Sequence, residues 1–147
     1  PKVMYISYGE TDEWAHEGNY SAYLDAAHQV DNWVAGLWHW VQSTPGYKDN
    51  TYLLITTDHG RGFSEDWTDH GADVKGASSI WFGLMGPDKD SKLSSLLKSM
   101  QINAGEKNNM AEQSNKQQLY QMQLAATMAK LLGLEFKAAH PIGDPIF

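Results

Sequence analysis

Two short stretches carry the residues best suited to chemistry. Thr57-Asp58-His59-Gly60 closes the apolar run Tyr52-Leu53-Leu54-Ile55-Thr56, and the same four letters return at Thr68-Asp69-His70-Gly71. A carboxylate and an imidazole delivered side by side off the end of a buried strand make a metal-site arrangement. The second copy has no strand in front of it, so the two need not share a job. There His70 is the ligand candidate, and Asp69 supports it or stays solvated. Upstream, Asp12 and His16 are four apart, a spacing that sets two side chains on one face of a helical turn and lets them grip one ion. Three imidazoles and two carboxylates without sulfur suit zinc or manganese in an open catalytic site better than a closed structural zinc site.

The rest of the composition narrows the setting. A chain of 147 residues, 41% hydrophobic and 20% charged, is read as one globular domain spanning 1–147. The formal net charge of -7 disfavours a nucleic-acid backbone binder, which needs a basic face, so the expected partner is a small molecule or a cation. With no cysteine, any metal must sit on oxygen and imidazole nitrogen. No apolar run approaches the roughly 20 residues of a membrane span. Opening at Pro1 against the edge of the first predicted strand, the chain reads as a piece of something longer.

The positioning elements follow from periodicity. Residues 2–8, a β-prone apolar run stopped by Gly9, predict a buried strand, with Asp12 and His16 just past its end. Apolar residues at Tyr20, Tyr23, Leu24, Ala27, Val30, Val34, Leu37, Trp38 and Val41 keep the spacing of one helix face, ending before Pro45-Gly46. Residues 51–57 are the second predicted strand. Strand, long helix, strand is the parallel crossover unit, and in such sheets functional groups collect beyond the carboxyl ends of the strands. Residues 60–77 form a glycine-rich loop of functional length, and a third strand is predicted over 79–85. A short helix over 89–100 and a polar connection over 103–117 follow. Leu119, Tyr120, Met122, Leu124, Ala125, Met128, Leu131 and Leu132 then predict a helix capped by Gly133.

On these residues the chain resembles the C-terminal half of the alkaline phosphatase superfamily of metallohydrolases. The similarity runs from the Asp12/His16 pair through Asp58-His59-Gly60, His70-Gly71, the strand ending Met85-Gly86-Pro87, and Leu124 to Gly133. It implies an α/β fold with a partial, mainly parallel sheet flanked by helices, an alkaline-phosphatase-like core lacking its N-terminal half. It also implies two divalent metal ions, zinc or manganese: Asp12, His16 and His70 at one, Asp58 and His59 at the other. The implied activity is phosphate-ester hydrolysis or phosphotransfer on a small molecule, through a serine or threonine nucleophile outside these residues. The short separation between His59 and His70 is similar to the phosphoglycerate mutase and phosphopentomutase branches, whereas the nucleotide pyrophosphatase branch has a long insertion there. The alternatives are a sulfatase-type sulfuric ester hydrolase and a non-catalytic metal-binding or interaction fragment.

Charge bookkeeping agrees with an anionic substrate, since two divalent ions bring four positive charges and Asp12 and Asp58 return two negative ones. Each residue also has a plainer reading. Asp12 and His16 could be a solvated helix start, and Asp58-His59 a turn. Arg61, the only arginine, is placed to hold a phosphate oxygen or to form a surface ion pair. Glu10 and Glu13 are read as solvated, His28 and His39 as packing or capping residues, and His140 as a tail residue. Trp38, Trp40 and Trp81 are read as core or inter-half packing. A sheet cut this way should expose an edge, so self-association of the isolated chain is expected.

Overall fold

Gly9 ends an exposed N-terminal segment and starts helix α1, Glu10–His16. Glu10, Asp12 and Glu13 fill its first turn and His16 its last, matching the polarity of the helix dipole. Gly18, at φ +69°, lets the chain reverse, and Asn19 caps the next helix by accepting a hydrogen bond from the Ala22 N–H at 3.1 Å. That helix, α2, runs Tyr20–Ser43 and ends where Thr44 becomes extended, with the Thr44 hydroxyl donating to the Trp40 carbonyl at 2.7 Å. α1 packs against α2, burying Ala15 completely, while Val30, Val34 and Leu37 are half-buried and Val41 is buried.

This computed structural model describes residues 1–87 and 119–146. The chain divides into two compact units, Pro1–Pro87 and Asp88–Phe147. In the first, strands β1, Leu53–Thr56, and β2, Phe82–Met85, pair with Leu53 opposite Met85 and Thr56 opposite Phe82. The Thr56 hydroxyl extends the ladder by donating to the Trp81 carbonyl at 3.0 Å. No described helix is long and apolar enough to cross a membrane.

The molecule is therefore mixed α and β, as expected, but the mainly parallel sheet is not. The described sheet has two strands, and they are antiparallel. The reason lies in the connection: residues 57–81 hold turns and a short 3₁₀ helix, Ser64–Thr68, instead of a crossover helix, so β2 returns alongside β1 in the opposite direction. The buried strand expected over 2–8 is also absent. That segment has no regular secondary structure and is exposed, with Tyr5 at 87%. Its composition favours a strand, but a strand needs a neighbour's N–H and C=O groups, and residues 2–8 pair with neither β1 nor β2. Tyr8 instead stacks on Trp33 of α2, ring centroids 5.2 Å apart.

The second unit holds helix α3, Leu124–Leu131, led in by a 3₁₀ turn at Gln121–Gln123. Gly133 stops it at φ +71°, and the Leu134 N–H closes the turn onto the Ala129 carbonyl at 2.9 Å. The predicted helix is thus present in shorter form with its expected cap. Thr127, fully buried, donates to the Gln123 carbonyl and accepts from the Ile146 N–H, tying the tail to the helix. The helix expected over 89–100 and the connection over 103–117 lie outside the described residues.

Candidate metal centre

Three separate pieces of the first unit deliver ligand-type side chains to one place. α1 brings Asp12 and His16 on one face, as their spacing requires. The end of β1 brings Asp58 and His59, and the loop beyond it brings His70. That loop is laced rather than loose: the Gly60 N–H donates to the Ala77 carbonyl at 2.7 Å and the Gly62 N–H to the Asp69 carbonyl at 2.9 Å. It is also anchored on α2, because Trp67 meets the rings of Tyr20 and Tyr23 edge-on at 5.4 and 5.7 Å. Trp67 was not among the residues singled out from the sequence. Its place as a large aromatic in a mostly polar loop, three residues before His70, was the available signal.

Asp12 is the centre of the cluster. Its Oδ1 lies 3.5 Å from His70 Nε2 and 3.8 Å from His59 Nε2, and its Oδ2 lies 3.4 Å from His16 Nε2. His16 and His70 face each other Nε2 to Nε2 at 2.9 Å, and the His59 and His70 rings stack with centroids 3.7 Å apart. One ligand atom from each of Asp12, His59 and His70 falls within 4.8 Å of the others. Asp58 stands on the rim, its side chain 87% exposed and its Oδ2 3.7 Å from His59 Nε2. The residues expected at two separate ions are thus neighbours, and His59 reaches toward Asp12 as well as toward Asp58.

The donor set fits a divalent cation. His59 Nδ1 lies 2.8 Å from the Gly60 carbonyl, which can only accept, so Nδ1 carries the proton and Nε2 presents its lone pair to the cluster. Two imidazole Nε2 atoms aimed at one another repel unless a proton or a cation sits on one of them.

Both Thr-Asp-His-Gly copies use their aspartate to set the histidine backbone. Asp58 Oδ1 accepts from the His59 N–H at 3.0 Å, and Asp69 Oδ1 accepts from the His70 N–H at 2.6 Å and the Gly71 N–H at 3.2 Å. Those bonds, that of His70 first, hold the Asp69 carboxyl below the usual carboxylate range. Its folded value lies under its unfolded one, so it stabilises the loop above about pH 4 and loses that contribution as pH falls through the folded value. Thermal melts of Asp69→Asn should accordingly depend less on pH below about pH 4 than those of the native chain. Identical slopes would contradict this.

Arg61 forms an ion pair with Asp12 Oδ1 and donates to the Trp67 carbonyl at 3.3 Å, its side chain only 16% exposed. Glu10 and Glu13 are exposed, as expected. His28 and His39, expected to pack or cap, are exposed on α2, since the helix buries little beyond Val41. Trp38 is half-buried, whereas Trp40 and Trp81 are exposed, so neither is core in this unit.

A protein-family model described as the metalloenzyme superfamily matches residues 2–74, the stretch holding Asp12, His16, Asp58, His59, Arg61 and His70. No curated protein and no solved structure matches the chain.

Proposed function

With its residues 2–74 the chain belongs to the metalloenzyme superfamily, part of the alkaline-phosphatase-like superfamily of metal-dependent enzymes, and on that premise we propose that it supplies the metal-holding part of a phosphate-ester hydrolase or phosphotransferase. The observation carrying this reading is the convergence of His16, His59 and His70 on the two oxygens of Asp12. In it, Asp12, His16 and His70 hold one zinc or manganese ion and Asp58 and His59 a second. When bound, the ions would stabilise the attacking and leaving oxygens of an in-line phosphoryl displacement. The chain's own residues do the positioning. α1 fixes Asp12 against His16, the Gly60 carbonyl sets the His59 tautomer, and Asp69 holds the backbone at His70. The serine or threonine nucleophile lies outside these 147 residues, and Arg61 is close enough to the cluster to hold a phosphate oxygen.

The test is turnover of p-nitrophenyl phosphate by the longer protein carrying this chain, with Asp58→Ala beside it. Divalent metal should be required, and the variant should lose at least about 100-fold, more than the loss of an outer-shell partner costs. Unchanged turnover, or preference for p-nitrophenyl sulfate, would overturn the reading. The isolated chain should show no turnover.

A further inference from the structure

Among the described residues, Arg61 is the one arginine or lysine paired with the candidate centre. Its Nη2 lies on Asp12 Oδ1, the same oxygen that sits 3.5 Å from His70 Nε2 and 3.8 Å from His59 Nε2. The guanidinium is not a wandering surface group, because the Trp67 carbonyl accepts from Nη1 and Trp67 itself packs edge-on against Tyr20 and Tyr23. A divalent cation drawn to the Asp12 carboxylate must therefore share it with a positive charge or drive that charge away. A guanidinium and a divalent ion on one carboxylate repel each other, and partial burial weakens the solvent screening between them.

Resting on the reading of this cluster as a metal centre, we infer that Arg61 is a built-in competitor for the metal: it holds Asp12 in place in the metal-free protein and leaves Asp12 Oδ1 when a divalent cation binds. The ion pair keeps the Asp12 carboxylate oriented without metal. It also sets a threshold that a weakly bound ion does not cross. Lysine in its place keeps the charge but not the planar fork that reaches Asp12 and the Trp67 carbonyl together.

Zinc titrations by calorimetry on the full chain, native and Arg61→Gln, test this. The variant should bind zinc about 10-fold more tightly or better, since the competing charge is gone. Affinity unchanged or weakened, with the native circular dichroism spectrum retained, would overturn the inference while leaving the metal centre standing. No zinc binding by the native chain would overturn both. A second measurement needs no variant. The chain has a single arginine, so its side chain gives one Nε–H signal in a ¹⁵N-correlated spectrum. Saturating zinc should shift that signal and free the Nη rotation, and a signal untouched by zinc would overturn the inference even if Arg61→Gln failed to fold.

Discussion

Asp12→Ala is expected to weaken zinc or manganese binding by about 100-fold or more, because outer-shell partners alone cost 10- to 100-fold and Asp12 sits at the centre. One carboxylate is shared by His16, His59, His70 and Arg61, so its removal takes the carboxylate that, among the described residues, lies within the inner cluster and leaves three imidazoles facing one another. It also strands a guanidinium that is mostly shielded from water. Asp12→Asn separates the two consequences, since it keeps the shape and loses the charge. Calorimetry should show both variants weakened, with Asp12→Asn nearer the native melting temperature. Native affinity in Asp12→Asn would mean that the histidines bind the ion without this carboxylate.

Gly60→Ala should have the largest effect on the scaffold, destabilising the first unit by about 2 kcal/mol or more through overpacking. A methyl group at Gly60 would meet the backbone carbonyls of Gly76 and Ser79, and its own N–H is committed to Ala77. Those neighbours are main chain and cannot rotate away as a side chain could. They belong to the returning limb of the loop that carries His70, so the substitution should part His59 from His70 as well as lower stability. A fall in melting temperature of several degrees, with metal affinity reduced alongside, is the expected result. Native stability in Gly60→Ala would mean that the loop closes less tightly than described. Gly36, which has open space around it on α2, is the natural control: alanine there should be neutral or stabilising.

What could be read from the sequence was local. The four-residue spacing of Asp12 and His16 set both on one helix face, the apolar run before Asp58-His59 made β1, and the 3.6-residue period made α2 nearly to its observed ends. Gly133 stopped α3 as predicted. What could not be read was pairing. Residues 2–8 have the composition of a strand, but composition does not say which neighbour supplies the hydrogen bonds, and here they lie exposed. The direction of β2 depended on whether 57–81 held a crossover helix, and it holds turns and a 3₁₀ helix instead. Within the centre, the ligand types were legible, but the sharing of Asp12 was not. Nor was the clamp of Tyr20 and Tyr23 on Trp67, since residues more than forty positions apart meet only in the folded chain.

The most direct measurement of the central claim is a zinc titration of the native chain followed through histidine ring nitrogens by NMR. The chain has six histidines, three in the cluster and three, His28, His39 and His140, exposed elsewhere. His16, His59 and His70 should all shift at Nε2, with His59 Nδ1 still donating to the Gly60 carbonyl, while the other three stay where they were. A uniform response of all six, or no response of His59 and His70, would contradict the account.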